Sequence, residues 1–87
     1  MNKFDRENKV KELREKYPSG TWIRLISMDD EQAPPKGTIG IVTLVDDMGN
    51  IHVNWSTGST LGLVPEEDEF EVIPRLSTEQ FQVKVGE

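Results

Sequence analysis

Residues 37–64 constrain the fold more than any other part of the chain, because they contain three short apolar segments separated by two tight turns. In residues 51–55 apolar side chains alternate with polar ones, which is typical of a half-buried β-strand. Residues 46–50 and 56–58 are rich in Asp, Asn, Ser and Gly, which favour turns. Three consecutive strands in so short a chain predict a small, strongly bent β-barrel.

Further strands are predicted on both sides of this stretch. The five predicted strands are residues 21–28, 38–45, 51–55, 59–64 and 71–73. In the third strand, Ile51, Val53 and Trp55 are expected to face the core, and in the fourth Leu61 and Leu63 share one face. The second strand is predicted to place four side chains on one face: Ile39, Ile41, Thr43 and Val45. Gly40 interrupts its other face, where a bulge or a close approach of chains would suit it.

An amphipathic helix is predicted before the sheet, over residues 3–17. Val10, Leu13 and Tyr17 recur at three- and four-residue spacing and form one narrow apolar stripe. Pro18 ends the helix, and a turn follows. We therefore predict an N-terminal helix over residues 1–19, a barrel over 20–74 and a weakly ordered tail over 75–87.

The composition excludes several classes of protein. The 87 residues suffice for one domain, and the absence of cysteine excludes disulfides, thiolate metal sites and a thiol nucleophile. A chain without disulfides fits a cytoplasmic setting. The N-terminus is charged throughout, so no signal peptide is expected, and no apolar run approaches the ~18 residues that span a membrane.

Charge is distributed unevenly along the chain. Residues 1–20 hold six Lys or Arg residues against four acids, a net of +2, whereas residues 21–87 hold four bases against twelve acids, a net of −8. The acidic part would repel a phosphate backbone, so nucleic-acid binding is disfavoured.

No catalytic, metal or cofactor site is predicted. His52 is the only histidine, and its position in the third strand favours an outward structural residue over a catalytic one. Acidic clusters at 29–31, 46–47 and 66–69 could hold a hard cation if their loops converged. None has the spacing of a calcium-binding loop, so the favoured interpretation is that they are solvated.

Four separated blocks of the chain resemble a known family. They are Arg24–Asp30, Ala33–Val42, Val45–Leu61 and Asp68–Ile73, and in this order they are similar to the small bacterial domain of unknown function numbered 4314. The resemblance covers residues 20–74 and implies a bacterial protein with no assigned activity. The wider pattern Gly-Thr-x-Gly-x-Val followed by Val-x-Trp-x-x-Gly resembles SH3-like barrels, which implies a five-stranded SH3-like barrel with one N-terminal helix.

These observations lead to a prediction of a non-catalytic interaction module. It would be a cytoplasmic monomer that binds a basic protein or peptide, in a groove between residues 29–37 and the 56–58 turn. The predicted contact residues are Trp22, Asp29, Asp30, Glu31 and Glu67. Trp22 would contact the partner if it is exposed beside the 29–37 loop. The alternative prediction is a nucleic-acid-associated SH3-like protein, and an enzyme ranks last.

Overall fold

The described part of the chain, residues 2–75 of a computed structural model, begins with helix α1 (Lys3–Lys16). The Asn2 side chain caps it by accepting a hydrogen bond from the Asp5 amide at 2.9 Å, which satisfies a donor that the first turn would leave unpaired. Tyr17 ends it, and its amide donates to the Leu13 carbonyl at 2.8 Å. The predicted helix is therefore confirmed, ending one residue early.

Four antiparallel strands follow the helix and form one open sheet. They are β1 (Trp22–Ser27), β2 (Ile39–Val45), β3 (Ile51–Trp55) and β4 (Glu69–Val72), in the spatial order β3-β2-β1-β4. The described residues thus form a mainly β structure with one N-terminal helix. Apart from Arg75, the tail predicted to be weakly ordered lies outside the described residues.

The predicted five strands and closed barrel are not what the described residues form. Residues 59–64 make only one isolated bridge, in which Leu63 and Ile51 exchange hydrogen bonds of 2.8 and 2.9 Å. A regular ladder of backbone hydrogen bonds does not form along residues 59–64, because side chains bond to the backbone groups of Leu61. The Ser59 hydroxyl accepts from the Leu61 amide at 3.2 Å, and the Trp55 indole donates to the Leu61 carbonyl at 2.8 Å.

The predicted face of β2 was wrong at Val45. Val42 and Val45 are buried in the core, whereas Ile39 and Ile41 are half-buried on the opposite face. The register of β2 against β3 shifts between Val42 and Leu44, and such a bulge reverses the alternation of side chains beyond it. The extra residue is Thr43, whose hydroxyl donates to the His52 carbonyl at 3.1 Å.

The core is centred on β3, as predicted. Ile51, Val53 and Trp55 are at most 1 % exposed, and α1 covers the core with Val10 and Leu13. The remaining buried members of the core cluster are Ile23, Leu25, Val42, Val45 and Leu63. At one margin the Tyr17 ring lies 5.2 Å from that of Phe70, so the end of the helix also contacts β4.

Gly40 provides the space that the Trp55 ring occupies. A Cβ atom at Gly40 would lie 2.5 Å from Val53 Cγ1 and 2.7 Å from Trp55 Cε3, much closer than van der Waals contact. The predicted close approach at Gly40 is therefore confirmed, and its cause is the packing of a large aromatic ring against bare backbone.

We expect Gly40→Ala to lower the free energy of unfolding by about 1–3 kcal/mol, because the added methyl group would overpack the core. Urea unfolding followed by circular dichroism measures this change. Combining Gly40→Ala with Val53→Ala should cost less than the sum of the single changes, because Val53 holds the nearest clashing atom. A Gly40→Ala protein as stable as the wild type would contradict this packing.

Candidate functional site

Two acidic segments leave the sheet at the same corner. Ser27, at the end of β1, lies opposite Glu69, at the start of β4. The acids that follow β1 and those that precede β4 therefore extend from one point of the sheet, and we call this surface the acidic edge. Its residues are all exposed: Asp29, Asp30, Glu31, Glu67 and Glu69.

Local hydrogen bonds fix both segments of the acidic edge. Asp30 Oδ1 accepts from the Gln32 amide at 2.7 Å, and buried Pro34 anchors the loop further along. On the other side Asp68 Oδ2 accepts from the Val64 amide at 2.8 Å, which closes the turn that carries Glu67. Asp30 and Asp68 thus shape the backbone, while the side chains of Asp29, Glu31 and Glu67 are exposed.

Trp22 lies away from the acidic edge. It begins β1, whose other end, Ser27, lies five residues further along the extended strand, a distance of roughly 16 Å. It faces Ile41 across the sheet, its carbonyl accepts from the Ile73 amide at 2.9 Å, and it is only 9 % exposed. The condition under which Trp22 was expected to contact a partner, exposure beside the 29–37 loop, is therefore not met.

The 56–58 turn lies at the same end of the sheet as the acidic edge but on a different strand. The Ser56 amide donates to the Ile39 carbonyl at 2.9 Å, which holds this turn at the start of β2. In the strand order, β1 and β2 stand between that turn, at the end of β3, and the start of β4. Of the predicted contact residues, Asp29, Asp30 and Glu31 follow the end of β1, and Glu67 lies on the turn before β4. Trp22 lies at the other end of β1, whereas the 56–58 turn lies against Ile39, directly after the 29–37 loop.

Sequence reasoning missed a cleft between α1 and the turn that joins β2 to β3. We call it the Met48 cleft. It has a volume of about 280 Å³ and is lined by three segments: Arg6, Lys9, Val10 and Leu13 of α1, Met48–Asn50 of the turn, and residues 64–66. A second hollow of about 390 Å³ adjoins it through Arg6, Val10 and Met48.

Contacts between distant segments hold the helix beside this turn. Arg14 donates to the Val45 carbonyl at 3.1 Å and to Asp47 Oδ1 at 2.9 Å. Gly49 has a positive φ of 85° and lies beneath the helix, where an added Cβ would be 3.6 Å from Leu13. Helical spacing alone could have shown that Arg6 shares a face with Val10, since they are four residues apart. The position of Met48 depends on tertiary packing.

Asp46 organises the same turn from its base. Its Oδ1 accepts from the amides of Met48 and Asn50, each at 2.9 Å, and its Oδ2 lies 2.9 Å from His52 Nε2. The hydrogen bond with His52, aided by the two amides, lowers the pKa of Asp46 from 3.8 to about 2. His52 is thus an outward strand residue that stabilises a turn through Asp46.

We expect Asp46→Asn to show over which pH range this carboxylate stabilises the fold. Because its folded-state pKa is lowered, its contribution is complete above about pH 4 and is lost as the pH falls from about 4 to about 2. The variant should be less stable than the wild type by up to about 1 kcal/mol above pH 4, since the site is partly solvated, and the difference should shrink below it.

Urea unfolding at a series of pH values measures both curves. His52→Ala removes the largest cause of the shift and should flatten the acid dependence relative to the wild type. Curves for wild type and Asp46→Asn that stay parallel down to about pH 2 would contradict this assignment.

The described residues show neither a metal-binding cluster nor a helix suited to crossing a membrane. Residues 2–75 contain no group of three or more His, Cys, Asp or Glu side chains placed to hold a metal ion. In the same range no helix has the length and apolar character needed to cross a bilayer.

The fold and these surfaces define a small, mainly β protein with an N-terminal helix. The chain belongs to the family described as Domain of unknown function (DUF4314), whose model matches residues 6–73. This confirms the resemblance seen in residues 20–74 and extends it over most of α1. No curated protein and no solved structure matches the chain.

Proposed function

We propose that this protein is a non-catalytic module that binds a basic peptide, or a basic segment of another protein, through its acidic edge. The observation that carries the proposal is the β1–β4 register, which sets Ser27 opposite Glu69 and so joins two acidic segments at one corner. Exposed carboxylates gathered at one corner attract Lys and Arg side chains and exclude acidic competitors.

The neighbouring contacts support this role for the edge. Asp30 and Asp68 use a carboxylate oxygen to hold their turns, so the backbone of the edge is ordered before a partner arrives. An ordered surface loses less conformational entropy on binding than a mobile one. Within residues 2–75, no ion pair engages Asp29, Glu31 or Glu67, so these three carboxylates are the proposed contacts.

The charges of the chain disfavour the nucleic-acid alternative. Residues 21–87 carry a net charge of −8, and three cations of α1 already face carboxylates. Lys3 lies 3.9 Å from Glu7, Lys9 lies 3.5 Å from Glu66, and Arg14 lies 2.9 Å from Asp47. Binding a phosphate backbone requires several cations that it can neutralise together.

A non-catalytic role is supported by the state of the titratable side chains. Asp46 directs both carboxylate oxygens to hydrogen bonds within its own turn and to His52, which leaves this Asp–His pair a structural function.

We further propose a monomeric, cytoplasmic bacterial protein whose sheet is a relative of SH3-like barrels. The exposed acid Glu69 on edge strand β4 supports the monomer, because a charge on an edge strand opposes edge-to-edge pairing.

We expect the double variant Glu31→Gln/Glu67→Gln to bind a basic peptide about three- to tenfold more weakly than the wild type, because each exposed ion pair contributes about 0.2–1 kcal/mol. The probe is a fluorescein-labelled peptide of alternating Lys and Ser, titrated by fluorescence anisotropy at low and physiological salt.

The matched control is Glu12→Gln/Glu15→Gln, which removes the same two charges from exposed positions of α1. The control should bind within twofold of the wild type. Equal weakening by both double variants would mean that the peptide responds to net charge alone, and this would refute the acidic edge as the site. Absence of binding to the wild type at low salt would refute it as well.

A further inference from the structure

We propose that the Met48 cleft is a second docking surface, which binds a segment of a protein partner that presents an apolar side chain next to a carboxylate. This surface shares no lining residue with the acidic edge, although Glu66 of the cleft directly precedes Glu67 of the edge, and it prefers the opposite charge. It does not depend on the function proposed for that edge.

The cleft offers apolar contact area that no described residue covers. Met48 is 66 % exposed at the tip of its turn, and Val64 stands 36 % exposed on the other side. Val10 and Leu13 of α1 form the floor between them. Exposed apolar groups gathered around a hollow are typical of docking sites, and a methionine side chain adapts its shape to the group that it contacts.

The volume of the cleft suits a side chain of a partner better than an enclosed small molecule. At about 280 Å³ it is just below the size of most small-molecule pockets, which measure about 300–1,000 Å³. It is open to solvent between α1 and the turn, and the adjoining hollow continues it along the helix past Arg6. An extended or helical peptide could therefore place one apolar side chain in the cleft while its backbone follows α1.

Charge identifies the second feature of the occupant. The two hollows are lined by the cations Lys3, Arg6, Lys9 and Arg14 and by the acids Glu7, Asp47 and Glu66. Each acid lies within 4.0 Å of one cation: Glu7 of Lys3, Glu66 of Lys9 and Asp47 of Arg14. Arg6 is the cation left over, and the lining therefore carries a net charge of +1 in an acidic protein.

Arg6 stands at the boundary between the apolar floor and solvent. Its guanidinium donates to Met48 Sδ at 4.0 Å, and this sulfur is a weak acceptor. A guanidinium binds a carboxylate through two parallel hydrogen bonds, a stronger and more directional contact than a lone ammonium makes. One such cation beside an apolar hollow matches one carboxylate beside an apolar side chain. A nucleic acid would instead bring many phosphates close to the three acids of the rim.

The test uses protein labelled with ¹³C at the methionine methyl groups and titrated with an acetylated peptide of alternating Leu and Glu. We expect the Met48 methyl signal to shift, while that of Met28, which packs against the core, stays in place. Arg6→Gln should weaken binding about five- to twentyfold, and Arg6→Lys should fall between Arg6→Gln and the wild type.

The matched control is Lys11→Gln, which removes one positive charge from an exposed position of the same helix outside the cleft. It should bind within twofold of the wild type. Both Arg6 and Lys11 are exposed, so neither substitution should disturb the core. Unchanged NMR signals of the tryptophan indole groups will show that each variant remains folded.

Three outcomes would overturn the proposal. The first is an equal Met48 shift with a peptide of alternating Leu and Gln, which would show that the carboxylate does not contribute to binding. The second is a Met48 shift that follows protein concentration without peptide, which would make a second copy of the chain the occupant. The third is no shift at millimolar peptide. Failure of the Lys and Ser peptide to bind would concern the acidic edge alone.

Discussion

The packing of the Trp55 ring against Gly40 is the contact on which the rest of the structure depends. A Cβ atom at position 40 would lie 2.7 Å from Trp55 Cε3 and would push the ring away from its place over β2. Burial of an aromatic side chain of this size contributes up to about 4–6 kcal/mol, a large share of the stability of so small a domain. The indole group also binds the Leu61 carbonyl at 2.8 Å and thereby holds residues 59–63 beside β3.

The surfaces follow from this core. Helix α1 packs on it through Val10 and Leu13, which brings the basic N-terminal part of the chain against the β2–β3 turn and forms the Met48 cleft. The pairing of β4 with β1 brings two acidic segments to another corner. The two surfaces proposed as docking sites thus differ in charge, although Glu66 and Asp47 of the acidic part of the chain pair with Lys9 and Arg14 of α1.

Where the hydrophobic periodicity of the sequence was regular, it was sufficient to identify the buried side chains. The alternation in β3 and the stripe of α1 led to the correct buried residues, and Gly40 was correctly recognised as a point of close approach. The prediction for β2 was wrong because one bulged residue, Thr43, inverts the pattern and no single residue type marks a bulge. The fourth predicted strand, residues 59–64, was wrong because the Trp55 indole and the Ser59 hydroxyl, which local propensity does not describe, take the backbone groups of Leu61. Contacts between segments that are distant in the sequence cannot be read from local patterns. For this reason the prediction placed Trp22 in one site with the acids, and it missed the Met48 cleft.

Hydrogen exchange at the Trp55 indole, followed by NMR, tests most directly whether this ring organises the fold. We expect its Nε1 proton to exchange orders of magnitude more slowly than that of an indole in water, because it is buried and bonded to the Leu61 carbonyl. Nuclear Overhauser contacts should join the ring to the Gly40 Hα protons. A Trp55 indole proton that exchanges as fast as that of tryptophan in solution, without contacts to Gly40, would contradict the central role given to this packing.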